Sequence, residues 1–167
     1  DVPYFKELPR TETTLARVLG EAGYDAWHVG KWHLGGRASY PDRHGFHANI
    51  GGCEWGLPMK GYFSPYGIPT LEDPAEDGTY LTDYLTTKAV ELIRGREGSD
   101  RPFYLNMWYH SVHTPIQAKP EKIKKYEEKA RAMGLDTVDA FVEGNRFPAE
   151  HKKNKRITRR TIQSAPG

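Results

Sequence analysis

Apolar residues at Leu15, Val18, Leu19 and Ala22 recur at i, i+3, i+4 and i+7, the spacing of one helical face. With Glu12 in the first turn and Gly23 as a stop, this predicts a short helix over Thr11 to Ala22. Tyr24 to Val29 reads as a strand running into a turn bracketed by Gly30 and Gly35. Gly35 to Pro74 is rich in Gly, Pro and aromatic residues and has no sustained period. It is expected as a long loop ordered by its own packing, and loops of that length in compact domains are commonly functional. Tyr80 to Arg94 carries the clearest helical stripe, Leu81, Leu85, Ala89, Leu92 and Ile93, with Gly95 ending it. Phe103 to Tyr109, after Pro102, has the length and apolar character of a buried strand. Pro120 to Met133 reads as a charged helix with Ile123, Tyr126, Ala130 and Met133 on its inner face, closed by Gly134. Helix, strand and loop alternate twice, so the expected fold class is α/β with a mainly parallel sheet. In such folds ligands sit beyond the carboxyl ends of the strands.

Two histidine-bearing loops fall at those ends. The first holds Lys31 and His33, and residues two apart in an extended stretch point to the same side. A permanent cation beside a titratable imidazole suits an anionic oxyester, one group neutralising charge and the other handling a proton. The plainer alternative is a solvated lysine beside a packed histidine. The second loop, His110-Ser111-Val112-His113-Thr114-Pro115, places His113 two residues before a proline, with Thr114 biased toward extended backbone. His113 is either a site residue or a turn residue capping local backbone. His110, three residues earlier, is expected to be structural.

Composition narrows the class. Hydrophobic residues make up 37% of the 167, with 12 Pro and 17 Gly, so the chain is loop-rich, while 20 aromatic residues supply burial. The net charge of +2 is uneven: His151 to Arg160 contains six Lys and Arg and no acid, leaving 18 basic against 22 acidic residues elsewhere. The body therefore lacks the basic field of a nucleic-acid binder, and Lys152 to Arg156 is expected as a solvated run. One cysteine, Cys53, excludes an internal disulfide framework and a Cys-rich zinc site. No segment has the apolar length of a membrane span.

The stretch from Gly23 through Trp27-His28-Val29-Gly30-Lys31-Trp32-His33-Leu34-Gly35 resembles the second signature of the sulfatase family, which ends in Gly-Lys-Trp-His-Leu-Gly. Val112-His113-Thr114-Pro115-Ile116-Gln117-Ala118 is similar to the His-Thr-Pro segment that closes a strand in that family. Pro41 to Tyr66 looks like the loop that follows the lysine signature in bacterial members, with His47 where an Asp is usual. The resemblance implies a formylglycine-dependent sulfuric ester hydrolase of the alkaline-phosphatase-like superfamily, an arylsulfatase-like three-layer α/β/α sandwich with a mainly parallel or mixed sheet. Lys31 would then bind the sulfate oxygens and the nucleophile, His33 would hydrogen-bond the nucleophile's hydroxyl, and His113 would contact the sulfate or protonate the leaving oxygen. General-acid help of this kind is worth about 10²–10⁴ in rate. The aromatic loop from Tyr40 to Tyr66 would shape a pocket for a small-molecule or carbohydrate sulfate ester. Family habit would place the protein in the periplasm or outside the cell.

The same resemblance shows what to expect outside these residues. The family's nucleophile arises from Cys or Ser in Cys/Ser-x-Pro-x-Arg, and Cys53-Glu54-Trp55 does not fit. Ser39-Tyr40-Pro41-Asp42-Arg43 matches the letters but lies on the wrong side of the lysine signature and lacks its continuation. A divalent cation, usually calcium, is held in the family by an Asp-Asp and an Asp-Asn pair, and neither pair occurs here. Asp73, Glu76 and Asp77 read as a solvated loop, and Tyr80 and Asp83 as capping and packing residues. The expectation is that residues 1–167 form the middle of a sulfatase catalytic domain, inactive alone, with ligands for metal and formylglycine elsewhere. The rival readings are a phosphate or phosphonate monoester hydrolase of the same superfamily and a non-catalytic anion- or glycan-binding relative.

Overall fold

The centre of the fold is strand β1 (Asp25–Gly30), whose residues from Ala26 onward are all buried. A computed structural model describes residues 5–135; the chain divides into two units, Asp1–Pro115 and Ile116–Gly167. In the first unit β1 is flanked by β2 (Ala48–Ile50) and β3 (Phe103–Trp108), both parallel to it, in the order β2-β1-β3. Trp27 stands opposite Ala48 on one side and Leu105 on the other. Parallel neighbours on both sides explain the nearly continuous apolar run of β1. Helices α1 (Leu15–Glu21) and α2 (Leu81–Arg94) pack on β1, making a parallel sheet with helices, part of an α/β sandwich.

Helix α1 begins four residues later than the periodicity predicts. Thr14 is extended (ψ 156°), its hydroxyl accepts from the Arg17 N–H and donates to the His44 carbonyl, and the helix starts from that cap. The buried face is also different. Ala16 joins Ala26, Trp32 and Phe46 in a core cluster, whereas Leu15 and Val18 are about half exposed, at 57% and 47%. A small residue against the sheet lets the helix approach closely, and its larger apolar neighbours face away from it.

Helix α2 follows its stripe more closely, with Leu81, Leu85 and Ala89 buried and Ile93 exposed. Beyond its end, Arg96 returns to the Asp25 carboxylate and lies over the Trp27 ring at 5.5 Å. β3 is less buried than its composition predicts. Only Asn106 is buried, and Phe103 and Trp108 are exposed, because β3 is the sheet's edge among the described residues.

The long segment 35–74 is ordered by burial of Tyr62, Phe63, Tyr66, Ile68 and Leu71, and it supplies β2 and two 3₁₀ turns (Arg37–Ser39 and Pro41–Arg43). Tyr62 and Phe63 pack on Tyr80, and Tyr66 on Tyr84. Tyr62, Phe63 and Tyr66 are thus packed in the core. Asp73 is more than solvated: its carboxylate accepts the Tyr66 and Gly67 N–H groups and staples the loop.

In the second unit, α3 (Pro120–Ala132) starts with proline in its first turn and has no buried residue. Ile123 and Ala130 are half-buried, while Tyr126 and Met133 are exposed, so the expected inner face is only partly covered.

Candidate active site

The Lys31 turn is set by the way β1 ends. Gly30 has φ 104°, and a Cβ there would lie 1.9 Å from the Trp108 carbonyl oxygen. Only glycine permits that approach, which lets the Lys31 N–H donate to the same oxygen at 2.7 Å. Below the turn, His28 is fully buried. The Asn106 amide donates to His28 Nδ1 at 2.9 Å, so Nε2 carries the proton and donates to the Gly30 carbonyl at 3.0 Å. Burial pushes the His28 imidazole down to about 4, against weaker raising by the Gly30 and Lys31 backbone, and it stays neutral at pH 7. Trp32 closes the turn inward, its indole N–H donating to the Ser39 carbonyl at 2.7 Å.

Two residues on, the chain leaves extended geometry. His33 has φ 59°, the one positive φ outside glycine among the described residues, and its N–H donates to the Cys53 carbonyl at 2.9 Å. Such a conformation costs roughly 1 kcal/mol or more and has to be held by its surroundings. Gly56 helps hold it: a Cβ at 56 would sit 2.5 Å from His33 Cε1 and 2.6 Å from Nδ1. Extended geometry therefore ends at His33, whose ring lies beside Gly56.

The second loop leaves β3 at Trp108. Tyr109 and Ser111 hydrogen-bond Thr86 and Thr82, one turn apart on α2, at 2.7 and 2.9 Å. The His113 N–H donates to the His110 carbonyl at 2.9 Å. The Tyr62 hydroxyl lies 2.8 Å from that carbonyl and 3.1 Å from the His113 carbonyl, spanning the turn. His113 is exposed, and Thr114 occupies its Nδ1 through its carbonyl (3.0 Å) and hydroxyl (3.2 Å), which leaves Nε2 for chemistry.

His110 is buried beside these groups. Burial pushes it down to about 4, with weaker lowering by Lys31, His113 and His28, so Lys31 and His113 share His110 as an electrostatic neighbour. Its burial is in keeping with the structural place expected for it from the sequence.

Other polar side chains near these loops serve the fold. Cys53 is buried, burial raises its thiol, and its sulfur accepts the Trp55 N–H at 3.5 Å. Ser39 is buried with its hydroxyl on the Leu8 carbonyl. His47 accepts the Ala26 N–H on Nδ1 at 3.0 Å and so serves the sheet edge. Tyr40 donates to the Glu54 carboxylate, and burial together with that carboxylate pushes its phenol up to about 12. Among the described residues no three His, Cys, Asp or Glu are placed to hold a metal ion, so these residues do not fit the family's cation. The basic run Lys152 to Arg156 lies outside the described residues.

A lysine and a histidine on the loops that leave adjacent parallel strands β1 and β3 make the strand ends of this α/β fold the candidate site. The sulfatase family model matches residues 1–145, and the chain belongs to that family. It is 28% identical to arylsulfatase G of Rattus norvegicus, over 81% of this chain and 32% of that protein. It is 31% identical to N-acetylgalactosamine-6-sulfatase of Canis lupus familiaris, over 66% of this chain and 24% of that protein. The chain thus spans about a third or less of the length of these curated relatives. A crystal structure of Ps i-CgsB in complex with k-i-k-neocarrahexaose shares the fold, with TM-score 0.58, 23% identity, and coverage of 75% of this chain and 32% of that one.

Proposed function

We propose that residues 1–167 are the central part of a sulfatase catalytic domain and that the protein they belong to hydrolyses sulfate monoesters. The observation that carries this reading is the joining of the two loops: the Lys31 N–H is bound to the Trp108 carbonyl, and both Lys31 and His113 act on His110. Lys31 neutralises the sulfate oxygens. His113, through Nε2, gives a proton or hydrogen bond to the leaving oxygen. His33, held by Cys53 and Gly56, hydrogen-bonds a hydroxyl presented to the sulfur. The formylglycine nucleophile and the cation belong to residues outside 1–167, and no step here passes through the metal. A carbohydrate sulfate is the preferred substrate class, supported by the relative named for N-acetylgalactosamine 6-sulfate and by the hexaose held by the structural neighbour. Family habit supports a location in the periplasm or outside the cell.

The test is turnover by the protein from which this chain comes, on 4-nitrophenyl sulfate and sulfated N-acetylgalactosamine against 4-nitrophenyl phosphate. Sulfate esters should be preferred, and Lys31→Ala should lower kcat/KM by about 10²-fold or more. Preference for the phosphate, or an unaffected Lys31→Ala variant, would overturn the assignment.

A further inference from the structure

Gly30 answers to the backbone, with φ 104°. Gly56 is not among the glycines with positive φ, so its backbone would accept an ordinary residue. What a side chain at 56 would meet is the His33 imidazole. A Cβ there would lie 2.5 Å from Cε1, 2.6 Å from Nδ1 and 2.8 Å from Nε2, the three nearest atoms. The segment carrying Gly56 is fixed where it begins. Asn49 of β2 donates to the Gly52 carbonyl at 2.8 Å and accepts the Gly52 N–H at 2.9 Å. Cys53 is buried, its carbonyl takes the His33 N–H, and Glu54 takes the Tyr40 hydroxyl. His33 is exposed, so its ring is open to a ligand and has solvent to turn into.

We propose that Gly56 is a positioning residue for His33, leaving the space in which the imidazole is held toward the hydroxyl that attacks sulfur. The proposal rests on the sulfatase reading of His33. With the His33 backbone fixed by Cys53, two side-chain torsions alone place its ring. A methyl at 56 meets that ring from an anchored loop, so the ring turns away and the loop stays. A hydrogen bond to the reacting hydroxyl holds only over about 2.6–3.2 Å. Misplacement by about 1 Å is worth up to about 10²-fold in rate. The turned ring meets water rather than packed core, so folding loses little. Gly56 thus acts on rate through His33, where Gly30 acts on folding.

The experiment measures turnover of 4-nitrophenyl sulfate and urea midpoints for four forms of the protein from which this chain comes. These are the parent, Gly56→Ala, His33→Ala and the double variant. Gly56→Ala should lower kcat about tenfold or more, with KM and the urea midpoint close to the parent's. On the His33→Ala background, where the ring is gone, the same substitution should change neither rate nor midpoint. Losses that multiply in the double variant, or a parental kcat in Gly56→Ala, overturn the proposal. Should Gly56→Ala fail to fold, the double variant decides. Folding restored by removing the ring supports the contact with His33, and failure in both backgrounds means that glycine serves the backbone and the proposal falls. A His33→Ala variant with parental turnover, or a parent without turnover, overturns the sulfatase reading of His33 and the proposal with it.

Discussion

The Lys31 turn and the His113 turn reach one neighbourhood by different means. The first is made of backbone: a glycine pressed on a carbonyl, and a buried histidine whose two nitrogens are both committed. The second is made of hydroxyls, with Tyr109, Ser111 and Tyr62 tying the exit of an edge strand to its surroundings. A carbonyl pressed on an α-carbon has no room to adjust, because interiors are close-packed. Hydroxyl contacts at a half-exposed edge can lengthen or exchange with water. The backbone of Lys31 is thus placed by the core itself, while His113, the residue proposed to handle the proton, sits on a segment able to shift. Substitutions in the first turn should damage folding, and those in the second should change position with little loss of stability.

The largest expected effect follows from Gly30→Ala. Its methyl would meet the Trp108 oxygen at 1.9 Å with φ at 104°, so β1 and β3 must separate. The expected loss is about 3 kcal/mol or more, read as a collapse of the urea midpoint. A midpoint near that of the parent chain would show that the two strands do not meet as described.

Acid should come next, acting on the same buried core. His28 and His110 have folded values of about 4, below the ordinary 6.5, so the unfolded chain binds more protons between these limits. Stability from keeping them neutral is fully present above about pH 6.5 and is lost as pH falls toward 4. His44 is lowered in the same sense by burial and by Arg17 and Arg10. For His28 alone the loss amounts to roughly 3 kcal/mol at most. Urea midpoints measured from pH 7 to pH 4 should fall steadily, and His28→Gln should start lower and flatten the slope. A parallel slope in the variant would exclude His28 as a source of the acid sensitivity.

How much of this was legible in the sequence follows the same division. Strand β1, the glycine-bracketed turn and the stripe of α2 are local patterns, and periodicity reads local patterns well. β2 was hidden inside segment 35–74 because three residues carry no period; it exists through its pairing with Trp27 to Val29. The buried face of α1 was misread because Ala16, a weak apolar signal, wins by its closeness to the sheet. Lys31, His33 and His113 could be singled out by type and placement. Tyr62 and Gly56 could not, since each acts on a neighbour distant in sequence: Tyr62 across 48 residues to the His110 carbonyl, and Gly56 against His33.

The smallest expected effect separates position from stability. Tyr62→Phe keeps the ring that packs on Tyr80 at 5.9 Å and removes only the hydroxyl that spans the His110 and His113 carbonyls. The net loss in stability should be about 1 kcal/mol, since water can reach part of this turn. The His113 amide, by contrast, should exchange with solvent faster, while the Lys31 amide, bound to the Trp108 carbonyl, keeps its protection. Equal acceleration at Lys31 and His113 would mean that the two turns open as one unit. The hydroxyl clamp would then be part of the core rather than a separable hold on His113.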